Sequence, residues 1–150
     1  TQAPHTMGEG MGTSMTHALL FSMILTAAIP FRHDFKYPSP SFQNTLYAII
    51  MVESSGCQFV TSHRSTAAGC GQMLVSTAHQ VDGCGCVTRD MLINRPRLAI
   101  KLAARELHAC AVHFHHSWAL AVACFNVGAP VTEQTRDDPA YLLAVWERLP

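Results

Sequence analysis

Apolar residues recur at helical spacing in several parts of this chain, and the clearest stretch leads to a single carboxylate. Residues 46–56 read LYAIIMVESSG, so an apolar run ends at Glu53. With Phe42, these apolar positions lie three and four residues apart, and residues at that spacing share one face of a helix. The pattern predicts a helix over residues 41–55, with Ser41 as its N-cap and Gly56 just beyond its end.

Further stretches also predict helices. Apolar residues resume at helical spacing after Pro96 as far as Ala111, an Ala-rich stretch covers residues 118–125, and a short one covers residues 140–147. A shorter helix is expected across residues 73–78. No segment alternates apolar and polar residues with the period of a strand, so the pattern predicts an all-α domain.

The beginning of the chain has a different character. Residues 18–29 are apolar or small, a run too short for a membrane span of about 20 residues and suited to a signal-peptide core. Small residues at 26–28 would form the cleavage site, although an uncleaved anchor or an ordinary first helix fits the same run. We therefore expect a leader and signal peptide over residues 1–29, an extended, Pro-rich connector over 30–41, and the folded domain over 42–150.

Composition narrows the class of protein further. Lys and Arg number 10 and balance 10 Asp and Glu, which argues against a basic surface for nucleic acid or a polybasic membrane patch. All 6 cysteines follow residue 56, a pattern typical of a disulfide-supported domain in an oxidising compartment. Buried thiols, or a zinc site that includes Cys84 and Cys86, are the alternatives. Four histidines between residues 108 and 116 lack the i, i+4 spacing of a metal-binding helix, so we expect a solvated face or loop there rather than a metal site.

Glu53 is the first candidate for chemistry. It follows Ile49 and Ile50 by four and three residues, so its side chain starts on or beside the apolar face. Apolar surroundings and the negative end of a helix both disfavour a carboxylate and raise its pKa, as a general acid requires. The structural alternative is a helix-end glutamate that points into water.

Four segments in register resemble the soluble lytic transglycosylase family. That family has an E-S pair after an apolar helix, a G-L-M-Q segment, an A-x-Y-N-A-G segment and a late Y-V-x-x-V segment. The matching segments of this chain are residues 53–56, 69–78, 123–128 and 141–145. The resemblance covers about residues 42–147 and implies a goose-type lysozyme-like, all-α domain with a substrate groove.

The resemblance also implies an activity: cleavage of the β-1,4 bond between N-acetylmuramic acid and N-acetylglucosamine in peptidoglycan, with a 1,6-anhydro product. Glu53 would serve as the single general acid and base, without metal or cofactor. The implied substrate-binding residues are Ser54, Gln72, Met73, Phe125, Asn126 and Tyr141. Several have structural alternatives, since an amide can satisfy a turn or a helix end and an aromatic ring can belong to the core.

The chain departs from the family pattern in the segments that would form the cleft. Phe125 replaces the usual Tyr and removes a hydroxyl, and Cys70 and Gly71 replace Leu and Met. We expect reduced or specialised activity rather than its loss.

Other functions fit parts of the same pattern. A goose-type muramidase would need a second carboxylate near Glu53, for which Asp82, Asp90 and Glu106 are candidates. A non-catalytic glycan-binding or assembly protein and an unrelated Cys-rich module are further alternatives. The expected partners are peptidoglycan strands and, by analogy, a secretion or conjugation apparatus, in the periplasm or outside the cell.

Overall fold

Seven α-helices make up the part of the chain that the computed structural model describes, which comprises residues 15–62, 65–128 and 139–150. In chain order they are α1 (His17–Ala28), α2 (Phe42–Ser54), α3 (Val75–Asp82), α4 (Arg89–Asn94), α5 (Pro96–His113), α6 (Trp118–Val127) and α7 (Pro139–Glu147). Two isolated β-bridges, Thr61 with Ala68 and Ala68 with Met73, are the only β pairing in these residues. The prediction of an all-α domain is confirmed.

Helix α5 is the centre of the packing, because α1, α2, α3, α4 and α6 all contact it. It begins at Pro96, whose fixed φ suits the first turn of a helix. Much of its buried face is alanine, including Ala99, Ala103, Ala104 and Ala111, so neighbouring backbones can approach closely.

Helix α2 carries Glu53 and matches the helix predicted over residues 41–55. The Ser41 hydroxyl accepts a hydrogen bond from the Asn44 amide at 3.1 Å and caps the first turn. Leu46, Ile49 and Ile50 are fully buried. The helix ends at Ser55, whose φ of 50° is left-handed, one residue before the glycine expected to end it.

Helix α1 occupies the apolar run that the sequence assigned to a signal-peptide core. It packs against α2 and α5 and buries Leu20, Met23, Ile24 and Ala28. A Cβ added to Gly56 would lie 3.0 Å from Leu20 Cδ2, so α1 contacts the chain directly after the acid-bearing helix. No helix in the described ranges is long and apolar enough to cross a membrane.

The six cysteines form three disulfides, Cys57–Cys70, Cys84–Cys86 and Cys110–Cys124. The expectation of a disulfide-supported domain is therefore confirmed. Cys110–Cys124 joins α5 to α6, and Cys57–Cys70 joins the end of α2 to the loop before α3.

Two regions differ from the sequence-based expectation. The connector is not simply extended, because Ile29–Phe31 form a 3₁₀ turn and the Phe35 ring stacks on Phe42. Among the four histidines, His108 is not part of a solvated face: its Nδ1 lies 2.7 Å from Asp34 Oδ2, and its ring stacks on Phe31.

Candidate active site

Glu53 lies in the last turn of α2, where its carboxyl group is held by helix α7. The Tyr141 hydroxyl donates a hydrogen bond to Glu53 Oε1 at 2.7 Å, across 88 positions of the chain. Burial raises the pKa of Glu53 above its ordinary value, and the Tyr141 hydrogen bond partly offsets that rise because it favours the carboxylate. The Glu53 carboxyl group thus holds its proton more firmly than an exposed glutamate, and the Tyr141 hydroxyl can stabilise the carboxylate once that proton is lost.

Glu53 opens into a pocket of about 230 Å³ between α2, α5 and α6. Its lining residues are Glu53, Ser65, Ala67, Gly71, Gln72, Met73, Leu74, Thr77, Glu106, Phe125, Asn126, Val127 and Gly128. A larger cavity of about 470 Å³ lies between α1 and α5, but no carboxylate lines it. We therefore take the smaller pocket as the candidate active site.

Glu106 is the second carboxyl group of this pocket. It lies on α5 and is 4% exposed. Burial, and secondly the charge of Glu53, raises the pKa of Glu106 to about 8, so the group is neutral at pH 7. The other two candidate carboxylates lie elsewhere: Asp82 pairs with Arg105 at 3.1 Å, and Asp90 is exposed at the start of α4.

Ser54, expected to bind substrate, is 1% exposed and is not among the residues that line the pocket. Its hydroxyl lies 2.7 Å from the Cys70 carbonyl oxygen and 3.1 Å from that of Ile50, while its Oγ accepts a hydrogen bond from the Cys57 amide at 2.9 Å. These contacts hold the end of α2 against the loop that forms the pocket floor. The Ser54 hydroxyl therefore helps to fix the position of the neighbouring residue, Glu53.

The loop before α3 brings Gln72 and Met73 to the pocket. Gln72 has a left-handed φ of 48°, and its Nε2 donates to the Gly69 carbonyl oxygen at 3.0 Å. Its amide nitrogen thus supports the turn, as the structural alternative predicted, while the residue still lines the pocket. Met73 is buried at the pocket wall.

The departures in this loop have structural causes. Cys70 takes part in the disulfide to Cys57. A Cβ added to Gly71 would lie 2.9 Å from Ala103 Cβ on α5, closer than side chains pack. Glycine is thus required where this loop crosses α5.

Helix α6 supplies the opposite wall. Phe125 is 5% exposed, and the tip of its ring would lie 3.6 Å from a Cβ at Gly71. Asn126 is exposed and lines the pocket one position further along. Phe125, Asn126, Gln72 and Met73 thus surround the pocket that Glu53 enters, while Tyr141 reaches the acid itself.

Sequence reasoning named Glu106 only as one of three candidate neighbours, although a signal was present. Leu102 and Cys110 lie four residues before and after it and are both buried, so position 106 belongs to the buried face of α5. A carboxyl group on a buried helix face is unusual, and at position 106 the structure accounts for it because Glu106 lines the pocket.

An all-α domain with a half-buried acid at the mouth of a pocket is consistent with the lysozyme-like fold class. Within that class, the model of the Transglycosylase SLT domain matches residues 38–141 of the chain. The chain therefore belongs to the SLT family, as the four sequence segments indicated. Comparison with curated proteins and with solved structures finds no match.

Membership of this family implies transglycosylase activity on peptidoglycan in general, and therefore binding of peptidoglycan. Members of the family act on peptidoglycan outside the cytoplasm.

Proposed function

We propose that this chain is a peptidoglycan lytic transglycosylase that cleaves the β-1,4 bond between N-acetylmuramic acid and N-acetylglucosamine. The observation that carries the proposal is Glu53, a half-buried acid with a raised pKa that enters a pocket and accepts a hydrogen bond from Tyr141. Such an acid keeps its proton closer to neutral pH than an exposed glutamate, which is what protonation of a leaving group requires.

The proposed reaction uses one carboxyl group twice. Neutral Glu53 gives its proton to the glycosidic oxygen as the bond to C1 of N-acetylmuramic acid breaks. The resulting carboxylate, stabilised by the Tyr141 hydroxyl, removes the proton of the C6 hydroxyl of the same sugar. The C6 oxygen then bonds to C1, so the product is a 1,6-anhydro sugar, no water is consumed and Glu53 is neutral again.

Binding falls to the remaining polar and apolar lining. The amide side chains of Gln72 and Asn126 carry both donors and acceptors for hydroxyl and N-acetyl groups. Met73 and Phe125 provide apolar walls for the faces of the sugar rings. No metal or cofactor enters the proposed chemistry.

A muramidase is the second candidate, and it is favoured by one observation: Glu53 and Glu106 share the pocket. Hydrolysing glycosidases use two carboxyl groups, one as acid and the other as base or nucleophile. A base or nucleophile must be ionised at the working pH. The high pKa of Glu106, about 8, favours the transglycosylase over the hydrolase.

Digestion of purified sacculi, followed by mass spectrometry of the products, tests the proposal. We expect anhydro-muropeptides from the wild-type chain and none from Glu53→Gln, whose fold circular dichroism should show to be intact. Glu147→Gln is a matched control, because it removes an exposed carboxylate at the end of α7. Products with reducing ends would instead identify a muramidase, and unchanged cleavage by Glu53→Gln would reject Glu53 as the acid.

We also propose that the protein works in the periplasm or outside the cell, where its three disulfides can persist. A secretion or conjugation apparatus is the proposed setting, by analogy with small transglycosylases that open the wall locally.

A further inference from the structure

Glu106 has no protein partner for its carboxyl group in the described part of the chain. No hydrogen bond or ion pair there involves it, yet its residue is 4% exposed and lines the pocket. No fully enclosed side-chain oxygen among the described residues lacks a hydrogen-bond partner, so the carboxyl oxygens of Glu106 must reach the pocket. The Glu106 carboxyl group is therefore accessible from the pocket, where a ligand could contact it.

The surroundings keep this acid neutral. Burial is the main cause, and Glu53, the other ionisable residue among those that line the pocket, opposes a second negative charge whenever it is itself ionised. A neutral carboxyl group has an O–H donor as well as acceptor oxygens, whereas an ionised one can only accept. In this state Glu106 offers a hydrogen-bond donor deep in an apolar wall.

Three residues close to Glu106 cannot bind a sugar through a side-chain hydrogen bond. The tip of the Phe125 ring lies beside Gly71, and Gly71 lies against Ala103, one turn before Glu106 on α5. A phenyl ring and a methyl group have no hydrogen-bonding atoms, and Gly71 has no side chain. Glu106 therefore adds a polar side chain to an otherwise apolar part of the pocket wall.

We propose that Glu106 binds the glycan as a neutral carboxylic acid, and that it donates its O–H to a hydroxyl or N-acetyl oxygen of the sugar held beside Glu53. The identity of the ligand rests on the proposed function. The role of Glu106 as donor rests on its burial, its lack of a protein partner and its place in the pocket.

Two substitutions separate a donor from a base. Glu106→Gln keeps an N–H donor and a carbonyl acceptor in nearly the same shape but cannot ionise. Glu106→Leu removes both polar functions, and its apolar side chain suits the buried position, so the variant should fold. Affinity for a soluble N-acetylglucosamine oligomer is measured by calorimetry in the Glu53→Gln background, and release of muropeptides from sacculi is measured with Glu53 intact.

We expect Glu106→Leu to weaken oligomer binding about tenfold, the effect of one lost hydrogen bond, and Glu106→Gln to retain most of the affinity and turnover. A third variant tests the position: Phe125→Tyr added to Glu106→Leu puts a hydroxyl at the ring tip in the same pocket and should recover part of the loss. Glu147→Gln serves as the control for removal of a carboxyl group away from the pocket.

The results can overturn the proposal in two ways. If Glu106→Leu binds the oligomer as well as its parent, Glu106 is no donor to the ligand. If Glu106→Gln loses activity as fully as Glu106→Leu, an ionised carboxylate is required and Glu106 is a base. A wild-type chain that releases no anhydro-muropeptides would refute the proposed function, while the binding measurements would still decide the role of Glu106.

Discussion

The buried acid on α5 should make the stability of this protein depend strongly on pH. Below pH about 4.5, Glu106 holds its proton in both the folded and the unfolded chain, so it has no effect. Between that pH and its folded pKa of about 8, the unfolded chain releases the proton and the folded chain keeps it. Stability therefore falls as pH rises, by about 1.4 kcal/mol for each pH unit, and the fall stops above the folded pKa.

Replacing Glu106 with Leu removes this dependence. Relative to wild type, the variant should gain about 4 kcal/mol in unfolding free energy between pH 5 and pH 8, an upper bound because relaxation of the fold reduces it. The comparison cancels the titration of the residues that both proteins share.

Urea unfolding at pH 5 and pH 8, with the disulfides kept oxidised, measures the difference. Glu147→Gln is the control. Because Glu147 is exposed, this substitution should change the unfolding free energy by the same amount at pH 5 and at pH 8. Parallel pH dependence in wild type and Glu106→Leu would show that Glu106 titrates normally in the folded chain. Glu106→Leu is also expected to weaken glycan binding. The substitution should therefore raise the free energy of unfolding at pH 8 while it lowers the affinity for the glycan.

Three further outcomes are expected. Tyr141→Phe removes a donor to the Glu53 carboxylate, so the pKa of Glu53 should rise, and the upper limb of the pH profile of kcat/KM should move to higher pH with a lower kcat; an unmoved limb would contradict this. Gly71→Ala should destabilise the fold by about 1–3 kcal/mol in thermal unfolding, because its Cβ meets Ala103; equal stability would mean that the loop has room. Deletion of residues 1–28 removes Leu20, Met23 and Ile24 from the core, at about 1.5–3 kcal/mol each, and should abolish folding as judged by circular dichroism; a stably folded truncated chain would favour cleavage of the leader.

The local pattern was sufficient for the helices with a strong apolar face. Helix α2 was predicted within one residue at each end, because its periodicity and its Ser41 cap are both local features. Helix α4 was missed because its six residues are too few to show a period, although Thr88 caps it. The helix after the Gln72 loop begins at Val75, two residues later than expected.

The candidate site also has parts that the sequence could indicate and parts that it could not. Glu53 could be proposed as a candidate because an apolar helix precedes it directly, and the family segments supplied the other candidate residues. The hydrogen bond from Tyr141 could not, since it joins positions 88 apart. The need for glycine at Gly71 and the presence of two carboxyl groups in one pocket depend on where α5 crosses the pocket, which no local pattern records.

Two links join the end of α2 to the loop before α3, and they limit how the candidate site can admit a polymer. The Cys57–Cys70 disulfide and the Ser54 hydrogen bond join the same two segments, so Glu53 and Gln72 must move together. Cys110–Cys124 ties α5 to α6 in the same manner. We therefore expect the spacing of the Glu53 carboxyl group and the Gln72 amide to stay constant as each sugar arrives, so that any widening of the pocket occurs between these residues and the linked helices α5 and α6.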